Sequence, residues 1–267
     1  MKKKLLTGVL LALTLFCAAG AGYLVRDGGA VDVSRVRGED FSAVLYRPAS
    51  AAEADPAPAV LVAGLKSPDR RALAMELSRR GWVALTAAKA EEGSAALAWL
   101  EEQPFVRSQR LAVAGDEYAL ILGEDGGGSV QAVIALWDES FSRQWEELPN
   151  LLLFAECAPA GQELAAFLRC GEDRARPEDI QGYFYEETAR CLRITEGAPS
   201  FRDPAVQAAV FDWLGSSLGH RLEIPDSAQR WQAAEGLRIG AICCAGVCAL
   251  SVLPVCPWKK KKTGSSH

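Results

Sequence analysis

Between Arg110 and Gly123 the chain reads "RLAVAGDEYALILG", a buried strand that runs through a glycine into a helix. Two carboxylates sit at the turn, in Gly115-Asp116-Glu117-Tyr118-Ala119. A carboxylate there can act as a nucleophile, as half of an acid–base pair, or as a negative charge at a helix N-terminus, where the peptide dipoles favour it. Paired carboxylates cleave glycosidic bonds when they face each other across a substrate. Adjacent residues in a tight turn need not converge, and no aromatic platform for a sugar surrounds these two.

Any nucleophile on this bend needs a proton acceptor, and near neutral pH that is most often an imidazole. The 267 residues include only two histidines. His267 ends the tail "KKKKTGSSH" and reads as solvated; His220 follows a long helical pattern, where it reads as a cation beside the carbonyl ends. Cys157 is intrinsically reactive as a thiol but lacks a recognisable imidazole partner. Lys66 and Glu156 are further polar groups at strand ends. No cofactor and no metal are expected, because no cysteine has supporting His or Asp nearby.

The elements that must position these residues follow from the pattern of apolar runs. A strand near Phe41 to Tyr46 ends at Arg47-Pro48, and "ASAAEADPAP" turns into the buried run "AVLVAG" at Ala59 to Gly64. "SPDRRALAMELSRRG" then reads as an amphipathic helix, with Asp69 in its first turn and Gly81 past its end. Strand "WVALTA", helix "EEGSAALAWLEEQ", strand "RLAVAG", a helix, and strands "VQAVIALW" and "NLLLFAE" follow. The C-terminal part predicts a helix near Gly161 to Leu168, strand "RCLRIT" and helix "DPAVQAAVFDWLGSSLG". Continuous apolar strands separated by helices imply a doubly wound, mostly parallel α/β sheet covered on both faces.

Composition agrees with one globular domain plus appendages: 49% of residues are hydrophobic and 24% charged. The net charge is -5, but seven of the 29 basic residues are lysines at the extremities, Lys2 to Lys4 and Lys259 to Lys262. The interior therefore sets 34 acids against 22 bases, which excludes a phosphate-tracking surface and argues against a nucleic-acid partner.

The uncharged run Leu5 to Val25, between Lys2-Lys3-Lys4 and Arg26, predicts a membrane anchor or a cleaved signal peptide ending at Ala19-Gly20-Ala21. Ile239 to Trp258, ahead of the lysine run, predicts a transmembrane helix. Lysines beyond both runs would place both termini in the cytoplasm and the acidic domain outside the cell membrane. Small residues at Gly240, Cys244 and Cys248, and at Ala18 and Gly22 in the first run, suggest that the two helices pair. The expected organisation is residues 1–26 anchor or signal, 27–220 α/β domain, 221–238 linker, 239–258 membrane helix and 259–267 basic tail. Cys17, Cys243, Cys244, Cys248 and Cys256 read as packing residues of the apolar runs. Among Cys157, Cys170 and Cys191 at most one disulfide can form.

Four stretches taken together, "FSAVLYRPASAAEADPAPAVLVAG", "ALAMELSRRGWVALTA", "AALAWLEEQPFVRSQRLAVAGDEYA" and "ITEGAPSFRDPAVQAAVFDWLGSSL", resemble the dienelactone-hydrolase-like branch of the α/β-hydrolases, particularly membrane-tethered bacterial members. The resemblance covers about Phe41 to Leu218. It implies a Gly-x-Ser-x-Gly bend whose nucleophile position is Glu117 here, with Ala119 at the final glycine. It places the family histidine at Ser200, within Gly197-Ala198-Pro199-Ser200, and the family acid near Glu156. His-Gly after the third strand is Ala63-Gly64 here, and the Asp-x-x-Gly-His-Gly-like loop is Ala87-Ala88-Lys89-Ala90. What the resemblance implies is thus a degenerate catalytic triad, with Gly64, Lys66, Asp116, Glu117, Tyr118, Glu156 and Ser200 as the residual pocket. The expected function is a membrane-anchored pseudohydrolase acting as a binding or structural module. The alternatives are an active hydrolase of small ester-like substrates with a carboxylate site at Glu117, or a subunit of a membrane complex.

Overall fold

The computed structural model describes residues 2–26, 31–136, 148, 150–156, 183–185, 188–195, 197–219, 224 and 231–252. These fall into two compact units, Arg26–Gln232 and a smaller one made of Met1–Val25 with Ala233–His267.

Among the described residues the larger unit has nine strands: β1 (Val31–Arg37), β2 (Ser42–Pro48), β3 (Ala57–Ala63), β4 (Val83–Ala87), β5 (Val106–Gly115), β6 (Val130–Leu136), β7 (Asn150–Ala155), β8 (Tyr183–Tyr185) and β9 (Thr188–Ile194). Their order across the sheet is β1-β2-β4-β3-β5-β6-β7-β9-β8. The central run from β4 through β3, β5, β6 and β7 to β9 is parallel, whereas β1 and β2 pair antiparallel, as do β2 with β4 and β8 with β9. This is the expected α/β class, and the mixed, mostly parallel sheet is consistent with an α/β-hydrolase fold. β1 and β8 were not anticipated, for β1 is polar at four of its seven positions and its exposure matches a sheet edge.

Described helices of this unit are α2 (Ser67–Arg79), α3 (Gly93–Glu101), α4 (Glu117–Asp125) and α5 (Pro204–Leu218). Strand residues alternate between two cores. Ala59, Leu61 and Ala63 of β3 face α3 and α4, through Leu97, Leu100 and Leu120, while Val60 and Val62 face α2 and α5, through Leu73, Leu77, Val210 and Phe211. A strand buried on both faces must be apolar at every position, hence the unbroken runs. Each fully buried Leu, Val or Phe contributes roughly 1.5–3 kcal/mol. Asp203 starts α5 by accepting the Ala205 N–H at 2.8 Å, with Pro204 as the first helical residue, and Gly219 ends it with φ of 61°.

The end of α2 carries a buried ion triad. Glu76 is bonded to Arg79 at 2.7 Å and to Arg80, all three being side chains no more than 4% exposed. The Arg80 guanidinium lies 4.1 Å over the Phe211 ring, which stacks in turn on Trp82.

The smaller unit contains α1 (Lys2–Arg26) and α6 (Trp231–Val252). They touch, though not at the Ala18 and Gly22 expected on α1: a β-carbon added to Gly20 would stand 3.1 Å from Leu237 Cδ1, and one added to Gly240 would stand 3.8 Å from Cys17 Sγ. The expectation of membrane-crossing helices is corrected, because among the described residues no helix is long and apolar enough to cross a membrane. Helix α6 begins at Trp231 with a polar turn holding Glu235 and Arg238, and it ends at Val252. His220, Cys157, Cys170, Cys256 and the helix expected near Gly161 to Leu168 lie outside the described residues.

Candidate functional site

Parallel strands end together at one edge of the sheet, and the expected residues gather on the loops that leave it. Ala63 of β3 pairs with Gly115 of β5, and Gly115 with Ala135 of β6. Gly115 is required there: a β-carbon would run into the carbonyl oxygen of Ala63, so only glycine lets the two backbones approach this closely. The chain then turns at Asp116 and enters α4 at Glu117.

Asp116 decides the character of this bend. Its carboxylate lies against Gly64, in the space that a β-carbon of residue 64 would fill. Gly64 has φ of 74°, a left-handed conformation that side chains resist. The Asp116 Oδ1 also accepts the Tyr118 N–H at 3.1 Å, capping the start of α4. Burial pushes the Asp116 carboxyl above its ordinary range, and the backbone N–H bonds offset part of that rise. The Asp116 side chain is thus turned in over β3. Glu117 occupies the first position of α4, and its side chain lies outside the described residues.

The remaining positions are tied elsewhere. The Ser200 hydroxyl donates to Asp69 Oδ1 in the first turn of α2 at 3.3 Å and accepts the Arg202 N–H at 3.2 Å. Arg70 Nη1 donates to the carbonyls of Leu65 at 3.1 Å and Ala88 at 3.3 Å, clamping the loop after β3 to the loop after β4. Burial lowers the Arg70 pKa, and nearby Tyr46 counteracts this. Lys66 is exposed just before α2, Glu156 is exposed after β7, and Tyr118 is exposed on α4. Lys89 pairs with Glu92 at 3.4 Å instead of facing the bend.

The structure therefore brings Gly64 and Asp116 together, and Ser200 together with Asp69. Among the described residues, no hydrogen bond or ion pair joins Asp116, Glu156 and Ser200 to one another. Asp69 and Arg70 were missed as site residues; their side-chain partners lie far along the chain, so only a folded contact reveals them. A shallow depression of about 140 Å³ does exist, lined by Ser94, Leu97, Ala98, Glu101, Gly126 and Ser129. It lies beside the N-terminal end of β6, away from the bend. Cys191 is a buried thiol on β9, its pKa pushed up by burial and partly restrained by Arg193.

No family model matches the chain, and no curated protein matches it. It bears a distant structural similarity to solved α/β proteins. One is the hypothetical protein PA2218 from Pseudomonas aeruginosa, at 20% identity over 40% of this chain and 42% of that one, with a TM-score of 0.35. Another is Thermogutta terrifontis esterase 2 phosphorylated by paraoxon, at 15% identity over 46% of this chain and 69% of that one, with a TM-score of 0.34. The same esterase phosphoramylated by tabun matches at 15% identity over 46% and 70%, again at 0.34. The match spans less than half the length of the Pseudomonas protein.

Proposed function

We propose that the Arg26–Gln232 unit is a hydrolase-like module without ordinary acyl-transfer chemistry, acting as a binding or structural part at an extracytoplasmic lipid surface. The observation that carries this reading is the Asp116 carboxylate seated against Gly64. In an acyl-transfer enzyme this bend must present backbone N–H groups to a developing oxyanion. A resident carboxylate places negative charge on the same ground and uses the Tyr118 N–H as its own partner. Ser200, where the resemblance expects the imidazole, spends its hydroxyl on Asp69.

Association with lipid is supported by α1. Val9, Leu13 and Phe16 form one exposed apolar stripe, and Leu11 and Leu15 form another on the far side; Phe16 is 73% exposed. A protein partner covers one side of a helix, whereas acyl chains cover both. The Lys2 to Lys4 cluster ahead of these stripes suits anionic headgroups and the charge order of an exported N-terminus.

The test is the purified full chain incubated with short-chain aryl esters and a fluorophosphonate probe. The expected result is neither turnover nor labelling above background. Turnover abolished by Glu117→Ala would overturn the proposal in favour of a carboxylate-based hydrolase. Flotation with anionic phospholipid vesicles tests the lipid half separately, with loss of flotation expected for Phe16→Glu, and protease accessibility of the unit on intact cells tests its placement.

A further inference from the structure

We infer that the outer edge of β1 is a docking site for an extended acidic peptide, which adds to the sheet as a further antiparallel strand. β1 stands at one end of the sheet order, and among the described residues no backbone bond reaches its outer side. Its seven residues pair with β2 without a register shift, from Val31 opposite Pro48 to Arg37 opposite Ser42. Neither a bulge nor a proline interrupts the strand, the two features that commonly spoil an edge for pairing.

The turn between β1 and β2 fixes which backbone groups face outward. Gly38 donates its N–H to the Phe41 carbonyl at 3.0 Å, so these two form a hydrogen-bonded pair that continues the β1–β2 ladder. In an antiparallel ladder such pairs alternate with pairs whose backbone groups point away from each other. Asp32, Ser34 and Val36 therefore bond to β2, while Val31, Val33, Arg35 and Arg37 turn their N–H and C=O groups outward. Two residues of β2 agree with this phase: Ser42, opposite Arg37, gives its N–H to Glu92 at 3.3 Å, and Pro48, opposite Val31, has no N–H to give. The four outward residues also carry their side chains on one side of the sheet, the side of α2, since side chains alternate along a strand and Val31 packs on that core.

The side chains beside those groups select the occupant. Arg35 and Arg37 are exposed, and among the described residues neither has an ion-pair partner. Val33, next in the row, is 47% exposed. Asp32 lies on the opposite side of the sheet, where it is already paired with Arg47 at 3.5 Å. Residues directly opposite in an antiparallel pair share a face, and opposite charges there attract. A peptide strand running from Arg37 towards Val31 therefore fits when its first and third residues are acidic and its fifth and seventh apolar, and the backbone groups of those four complete the outward groups of β1. A second copy of the chain fits less well: with the seven residues paired end to end, Ser34 meets Ser34 and each Arg35 becomes the diagonal neighbour of the other, a contact of like charges. The edge is separated from the bend after β5 by β2, β4 and β3, and its role is independent of the function proposed for that bend.

The test titrates the purified full chain into the fluorescein-labelled peptide Glu-Thr-Glu-Thr-Val-Thr-Val and follows fluorescence anisotropy. Saturable binding is expected, about tenfold weaker for Lys-Thr-Lys-Thr-Val-Thr-Val. Arg35→Glu combined with Arg37→Glu should reverse that preference. N-methylation of the third and fifth peptide residues, whose N–H groups face β1, should abolish binding, whereas N-methylation of the fourth and sixth should leave it. Val33→Pro removes one outward N–H without touching the β1–β2 bonds and should weaken binding as well. The inference is overturned if binding does not saturate, if it survives methylation of the third and fifth residues, if both peptides bind alike, or if sedimentation finds a dimer of chains that Val33→Pro dissociates and that takes up no peptide. The methylated peptides are compared on the wild-type chain, so their result decides the matter even if a variant misfolds.

Discussion

Replacing Gly64 by alanine tests whether the Asp116 carboxylate holds the bend in the way described. At φ of 74° an alanine costs roughly 1–2 kcal/mol by itself. Its β-carbon would coincide with the carboxylate, so Asp116 must swing away and release the Tyr118 N–H, a lost cap costing about 1 kcal/mol. Forcing the neighbouring loops apart adds about 1 kcal/mol or more, so Gly64→Ala should destabilise by about 3–4 kcal/mol. Asp116→Ala alone should cost about 1 kcal/mol, because it loses the cap and nothing else. The double variant has no carboxylate to displace. It should cost only about 2–3 kcal/mol, below the sum of the single changes by about 2 kcal/mol. Urea unfolding of the full chain followed by tryptophan fluorescence measures this, since Trp82 is fully buried in the core that must open. Additivity within about 0.5 kcal/mol would refute the proposed placement of the carboxylate.

Other perturbations have comparably direct readings. Glu76→Gln removes the carboxylate shared by Arg79 and Arg80 and should cost about 3–5 kcal/mol, read from the urea midpoint. Arg70→Met should cost about 1–3 kcal/mol and speed amide exchange in the loops after β3 and β4, because two carbonyls lose their shared donor. The Asp116 carboxyl is raised in the folded state, so the native protein holds this proton more tightly than the unfolded chain. Its contribution to stability is fully present below the unfolded pKa and declines as pH rises through the folded one. Asp116→Asn should flatten that part of the profile, and an unchanged slope would count against the assignment.

Much of this fold is legible in the sequence because burial on two faces leaves a plain mark. The runs that became β3, β4, β6 and β7 are apolar at nearly every position, and Asp203-Pro204 and Gly219 bracket α5 as cap chemistry requires. β1 escaped because an edge strand is selected for polarity instead, although the alternation of Val31 and Val33 with Asp32 and Ser34 was there to be read. The expected spans are not borne out, since among the described residues no helix is long and apolar enough to cross a membrane, and α6 starts within the stretch expected to be linker, at Trp231. In the site, the bend itself was legible from Gly115 and the strand before it. That the Asp116 carboxylate seats against Gly64 was not, because that depends on the space over Gly64. Nor was the bond between Ser200 and Asp69, since 131 residues separate them.

On the function proposed above, the polar groups at this edge of the sheet give such a module a structural reason to persist without acyl-transfer chemistry. Active sites hold donors and acceptors partly unsatisfied so that substrate can complete them, which costs stability. Here the corresponding groups complete one another. Asp116 caps α4 while packing on the loop after β3, Ser200 ties the approach to α5 onto α2, and Arg70 joins two loops through their carbonyls. Each of these contacts stabilises the α/β unit. On the proposed reading, giving the bend acyl-transfer chemistry would therefore take more than Glu117→Ser and Ser200→His. It would first require dismantling the Asp116 contact, at a cost that the Asp116→Ala variant measures.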